Sequence, residues 1–560
     1  MTLITSTGAG VLDRIAASRS TSTYRPAGVS AQAANAAAKT AASASSAPTR
    51  VTLEAVTDSD LVYAKPKAAG FGPQRFWANA RDDRLSELMT RNSGKDAVTL
   101  SDRWRGLGGG LLKQLADTGT AYQQTLADYE PGADAAGAVE GTDAAATAAA
   151  AAALQEQSLG GVGTNAAEVN LKIQTRSGHT VELKIGVNNG DQGGTRGLQI
   201  EVKSSGALSS AERQALSALS DGLDQALEGL GEGAPTLDLS GLTGFDRGGV
   251  LTGLDLKVEN PNAPAEVPGR MQAFSLHLGT DTKSVNMRTT SGEMTLEVDA
   301  TPPKGAANNG QRWSAIDQWL KQIDTASDRS HADAAMTKAF KDAFQQLQAP
   351  PVDEDPSNAV GAARAVAKDD GKPIAINPGA GPNAVAAANA ALRAKSGDRD
   401  EVAPVTPTMS DGLRSQVQSL QSGLADFKAG FSADSQRTSR IGSIKESGHA
   451  DYRISQTTTD RPNTTTGGRS VTQSQTETLD ASFQNSRTFP LDRDAGNYDA
   501  YTVQDSKTVT TLIDTVKDSL ARAMRKTDEQ RQKTFTQIEN FKATAHNEWP
   551  SQRSFTERLR

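Results

Sequence analysis

The chain has 560 residues, no cysteine, 4% aromatic and 36% apolar residues, and a net charge of −7 with an isoelectric point near 5.5. The missing cysteines exclude disulfides, thiolate nucleophiles and cysteine-based zinc sites. An acidic balance with no Lys/Arg run longer than two gives no basic stripe for nucleic acid, and no stretch approaches the ~20 apolar residues of a membrane-spanning helix. Length alone suggests three or four domains at roughly 150 residues each. So few large side chains cannot offset the conformational entropy of the whole chain. The expectation is an α+β protein: an antiparallel sheet of hairpins covered by amphipathic helices, with two modest cores, further helical segments and long disordered linkers.

Residues 1–50 carry one acid, Asp13, against Arg14, Arg19, Arg25, Lys39 and Arg50, in a background of Ser, Thr, Ala and Gly. They lack the continuous apolar core of a secretory signal peptide. An acid-poor leader of this kind resembles an organellar transit peptide; it also resembles the Ser/Thr-rich N-terminus of bacterial type III or flagellar export substrates, and the bacterial character of the remainder favours the second. Residues 51–64 read as a short strand and turn. The segment 51–130 is otherwise mainly helical, with Trp77, Leu85, Leu88 and Met89 marking one helix. Trp104, Leu107, Leu111 and Leu115, at 3-4-4 spacing, mark another. Gly108, Gly109 and Gly110 interrupt that second face. They suit either close approach of a partner backbone or a hinge, and GLGGGLLKQ lacks the spacing of a phosphate-binding loop. Residues 131–167 form an Ala/Gly linker in which 144–156 are helical with little to pack against.

Residues 168–349 read as the α+β domain. Val169, Leu171 and Ile173, then Val181, Leu183, Ile185 and Val187, alternate around Ser177-Gly178 as a hairpin. Leu198/Ile200/Val202, Leu254/Leu256/Val258, Phe274/Leu276/Leu278, Val285/Met287 and Met294/Leu296/Val298 supply further strands. Ser209 and Glu212 make a capping box ahead of Leu216, Leu219, Leu223, Leu227 and Leu230, one leucine face of a helix. Thr175–Gly178 and Thr289–Gly292 read as two similar turns, because the apolar positions after each glycine differ by one residue. Trp313, Ile316, Leu320 and Ile323, then Met336, Phe340, Phe344 and Leu347, mark two more helices.

Residues 350–408 hold eight of the 22 prolines and read as a linker. The region 409–560 reads as helical with a polar hairpin. Leu413, Val417, Leu420, Leu424, Phe427 and Phe431 step 4-3-4-3-4 and form the candidate interaction face of one helix, packed on its own domain or used for self-association. The Thr/Gln-rich stretch 450–485 is expected to be a solvated flap or an edge that pairs with a partner. Val509, Leu512, Val516 and Leu520, then Phe535, Ile538, Phe541 and Trp549, suggest helix again over 505–549.

No catalytic residue stands out. His179, His277, His331, His449 and His546 are too far apart in sequence for a helical zinc pair. No Gly-x-Ser-x-Gly elbow occurs, and Asp82/Asp83 and Asp369/Asp370 lie in polar segments without the burial a general acid needs. The reading is a non-enzymatic bacterial protein without metal or cofactor, secreted or on the cell surface. It works through protein contacts, with an export chaperone or a second copy as candidate partner. The alternatives are a secreted effector enzyme or toxin with its site in 168–349, and a cytoplasmic adaptor.

Overall fold

The computed structural model describes residues 73–130, 144–163, 167–190, 195–231, 235–300, 309–350, 409–438, 444–486 and 496–559, apart from positions 80, 247, 464 and 466. The expected leader, the strand at 51–64 and the linker 351–408 lie outside them. The described residues build a single antiparallel sheet of 15 strands, which does not close. Its architecture is α+β and dominated by the sheet.

The first strands are β1 (Gln74–Trp77) and β2 (Tyr122–Tyr129), followed by β3 (Ala167–Thr175), β4 (Thr180–Asn188) and β5 (Thr195–Ser204). Next come β6 (Leu251–Glu259), β7 (Met271–Leu278), β8 (Thr282–Thr289) and β9 (Gly292–Asp299). These are followed by β10 (Phe427–Thr438), β11 (Ile444–Asn463), β12 (Gly468–Ser486), β13 (Tyr498–Val516), β14 (Ser519–Glu539) and β15 (Lys542–Arg558). Spatially the order is β1-β2-β5-β4-β3-β6, and from β6 to β15 each strand pairs with the next. Apolar/polar alternation explains β3 to β9: one face is buried and the other carries ladders such as Lys203–Glu182–Lys172–Asp255–His277.

Helices cover the buried face: α1 (Arg84–Asn92), α2 (Leu100–Trp104), α3 (Leu107–Thr118), α4 (Ala144–Gly161), α5 (Ser210–Leu230), α6 (Asn309–Ser330) and α7 (Ala334–Gln348). The capping box forms as expected: Ser209 Oγ accepts from Glu212 N–H and Glu212 Oε2 accepts from Ser209 N–H. Glycines 108–110 permit close helix packing. A Cβ on Gly109 would lie 2.6 Å from Ser220 O of α5, while the Gly109 N–H donates to Asp224 Oδ1 at 2.7 Å. That carboxylate satisfies an N-terminal donor of α3 from another helix.

Several expectations need correction. Trp77 lies on β1, not on the helix with Leu85 and Met89. Strand β2 escapes the alternation rule because its inward position 124 is a glutamine. Its amide is buried and exchanges hydrogen bonds with the backbone of Asn79. The alanine helix α4 does pack: Leu154 and the following Val162 are buried, with Val162 seated where Gly197 lacks a side chain. The sheet also does not stop at 349. Phe427 on β10 pairs with Val298 and Phe431 with Met294, so one core runs from Leu85 to Val503.

The largest correction concerns 409–560. Among the described residues only α8 (Asp411–Ser419) is helical there; β10 to β15 are strands of up to 21 residues. The 3-4-4 spacing of Val509, Leu512, Val516 and Leu520 runs across the β13–β14 turn at Lys517–Asp518, and Val509 and Leu512 face opposite sides of β13. The period-two signal is masked because two of its buried positions, Thr511 and Thr515, are threonines interleaved with Ile513.

Candidate functional site

The six residues expected to share a helix face do not share one. Leu413 and Val417 on α8 pack with Val471, Ile513 and Ala523 in a small second core, with Leu420 beside them. Gly423, with φ +78°, redirects the chain. Leu424, Phe427 and Phe431 then enter the main core, where Phe427 meets Trp319 and Phe344, and Phe431 meets Phe340 and Tyr452. The 450–485 hairpin is likewise no free edge: β11 and β12 are interior strands between β10 and β13.

The histidines separate into distinct carboxylate pairs. Nδ1 of His179, His277, His331 and His449 lies 3.3, 2.5, 2.9 and 2.7 Å from Glu212, Asp255, Glu446 and Asp434 respectively. His546 Nε2 lies 3.0 Å from Glu548. Among the described residues, two serine–histidine–carboxylate groups invite comparison with acyl chemistry: Ser432, His449 and Asp434 on β10 and β11, and Ser177, His179 and Glu212. In a triad the imidazole bridges serine and acid through its two nitrogens. His449 does so, with Nε2 3.2 Å from Ser432 Oγ and Nδ1 2.7 Å from Asp434, but on the exposed face of the sheet and with Asp451 also 3.4 Å from Nε2. At His179 the geometry differs: Ser177 Oγ donates to Glu212 directly and meets the same Nδ1 that faces Glu212, while Nε2 packs against Gly206. Burial raises the Glu212 pKa, but donation from Ser177, Ser209 and Thr175 outweighs it and brings the pKa down to about 2. The group is an ionised cap that ties the start of α5 to the β3–β4 turn. Among the described residues no cluster of three or more side chains could hold a metal ion.

The most developed concave site lies where the sheet emerges from under its helices. α6 presents Gln311, Ser314, Ala315, Gln318, Trp319 and Gln322, steps of three and one that select a single helical face. Opposite stand the odd-numbered residues of β12 to β15. Cross-strand register places Glu477, Lys507, Glu529 and Arg553 in one row, and Gln475, Val509, Thr527 and Phe555 in the next. Residues 419–422 close one end of this groove of about 560 Å³. Burial pushes the Glu477 carboxyl pKa up, against a hydrogen bond from Tyr452 OH at 3.0 Å and the charges of Lys507 and Arg531. Burial, reinforced by Glu477, raises the Tyr452 pKa in turn.

Beyond the groove the same face is bare. From the groove outward, β14 and β15 carry Arg525, Arg531, Lys533 and Arg553 against Glu529 and Glu557 on this face. Lys533 lies over Phe483 and Tyr501, which stack on each other. Trp549 and Phe555 are each 53% exposed. Sequence reading missed this basic surface because its cations are spread over more than 25 residues and converge only through strand pairing. Arg525, Arg531 and Lys533 share one parity on β14, a signal visible only once that segment is known to be a strand.

The outer edge of β15 is open but interrupted. Leu559 N–H donates to Ala523 O at 3.0 Å, one position past the Met524–Arg558 pair. Odd residues of β15 therefore turn their backbone groups toward β14 and even ones outward. Pro550 falls at an outward position and offers no N–H, the usual placement of proline in a strand. No protein-family model matches the chain, and neither a curated protein nor a solved structure matches it. Among the described residues, no helix is long and apolar enough to cross a membrane.

Proposed function

We propose that the chain is a non-enzymatic bacterial binding protein, exported by a type III or flagellar-type route, that acts through protein contacts made by its C-terminal strands. The observation that carries the binding role is the bare face of β14 and β15, with Trp549 and Phe555 exposed beside a groove lined by polar side chains. Large aromatics are enriched where surfaces meet partners, and both stand on the face that helices cover elsewhere in the sheet. The export route rests on the acid-poor composition of residues 1–50. The alternative of a secreted enzyme with its site in 168–349 gains nothing from Ser177, His179 and Glu212, whose arrangement suits a helix cap.

Two measurements test this. The protein should appear in culture supernatant, and a strain lacking the export apparatus, or a chain lacking residues 2–25, should retain it in the cell. Normal release from both would defeat the export route. Site-specific photocrosslinking from position 549 or 555 in living cells should yield a discrete adduct that is absent when the crosslinker sits at Gln552 on the opposite face. Equal yields from both faces would defeat the binding role.

A further inference from the structure

We infer that the bare face of β14 and β15 is a docking surface for an amphipathic helix of a partner protein, with an apolar stripe flanked by acidic residues. This deepens the binding role proposed above and rests on it. Continuity supplies the first argument. From β1 to β12 this face of the sheet is packed under amphipathic helices, α6 lying on β11 and β12. Arg329 of α6 still reaches Asp505 on β13, where Val503 is buried, and α8 covers Ile513 and Ala523 at one end of β13 and β14; past that the cover stops while β14 and β15 run on. At about 4.8 Å per strand spacing those two strands add a width of roughly 10 Å, and neighbouring helices sit about 8–10 Å apart. The bare strip therefore has room for one more helix beside α6, whose exposed Gln318 and half-buried Gln322 would flank it.

The anchors set the length. Trp549 and Phe555 lie on the same face, six residues apart on β15, which is about 20 Å of strand. A helix spans that distance in about 14 residues. Charge sets the flanks. Although the whole chain is acidic, Arg525, Arg531, Lys533 and Arg553 on this face of β14 and β15 outnumber Glu529 and Glu557, and Arg553 makes no ion pair among the described residues. Edge pairing is the competing mode, and Pro550 removes a central outward donor that it needs. A face-docked helix makes no demand on that donor.

The test uses the full-length protein and two labelled synthetic peptides of about 18 residues, long enough to cover both anchors. They share one leucine stripe and carry either glutamate or lysine on its flanks. Fluorescence anisotropy should show the glutamate peptide binding at least about tenfold more tightly than the lysine peptide. Trp549→Ser and Arg553→Glu should each weaken it by about tenfold or more, and Lys526→Glu on the opposite face should leave it unchanged. Iodide quenching of the exposed Trp549 should fall when the peptide is bound, and circular dichroism of each variant should match the parent.

Equal affinity for the two peptides, or indifference to Arg553→Glu, overturns the inference. Displacement by an equimolar thymidine oligonucleotide would instead mark a surface for nucleic acid. Tighter peptide binding on deletion of residues 2–72 would make this chain's own N-terminal segment the occupant. A partner crosslinked in cells from position 549 with neither peptide bound defeats the helix assignment and leaves the binding role standing.

Discussion

Strands β6–β12 and strands β13–β15 belong to one continuous ladder yet are stabilised differently. Beneath α6 and α7, inward positions are mostly aliphatic or aromatic, and the fold rests on apolar burial. Past β13 the strands remain long, but β15 is exposed on both faces for nearly its whole length. Cross-strand polar pairs replace the core there: Arg525 with Glu557 at 3.5 Å, Ser554 with Asp528 at 2.6 Å, and Lys533 over two rings. Exposed ion pairs contribute only about 0–1 kcal/mol each. The second region therefore depends on the first as a template, and its surface is free for binding.

Truncation under the helices should break this contrast most sharply if it is mistaken. Phe427→Ala empties a site between Trp319 and Phe344 and should cost about 3–5 kcal/mol in urea unfolding. Gly109→Ala forces a methyl group against Ser220 O and Asp224; a loss of about 1–3 kcal/mol is expected from the same measurement.

Glu212→Gln should cost about 1–3 kcal/mol near neutral pH, with a signature in acid. The folded pKa of Glu212 is depressed to about 2 from 4.5, so its stabilisation is present above pH 4.5 and lost as pH falls toward 2. The gap between wild type and variant should close over that window, and a gap that persists below pH 2 would contradict the capping role. At the small end, Trp549→Ser should change stability by less than about 0.5 kcal/mol. Pro550→Thr should likewise leave stability nearly unchanged, while producing concentration-dependent association in sedimentation velocity, because it completes the outward row of donors. A monomeric Pro550→Thr variant would show that the proline is not what keeps the edge closed to other chains.

Legibility in the sequence follows the same division. Strands β3 to β9 announce themselves by alternation, and α5 by Ser209, Glu212 and a leucine stripe, since apolar burial imposes strict periods on the residues that make it. The candidate site left no such trace. Its groove joins α6 to residues more than 150 positions later, and Gln475, Thr511 and Thr527 are polar residues on the inward face. Phe427 and Phe431 were recognisable as buried positions, but their heptad-like spacing to Leu413 and Val417 concealed a helix followed by a turn and a strand.

The sequence by itself determined the absence of thiol chemistry, the α+β class, the hairpins of 168–299 and their helix cap, because composition and short-range periodicity are written locally. Only the tertiary structure decided that β10 to β15 continue the same sheet, that Arg525, Arg531, Lys533 and Arg553 share one face, and that Pro550 points its missing donor outward. Each of those depends on strand register, which is fixed by pairing with a neighbour already in place and not by the strand's own residues.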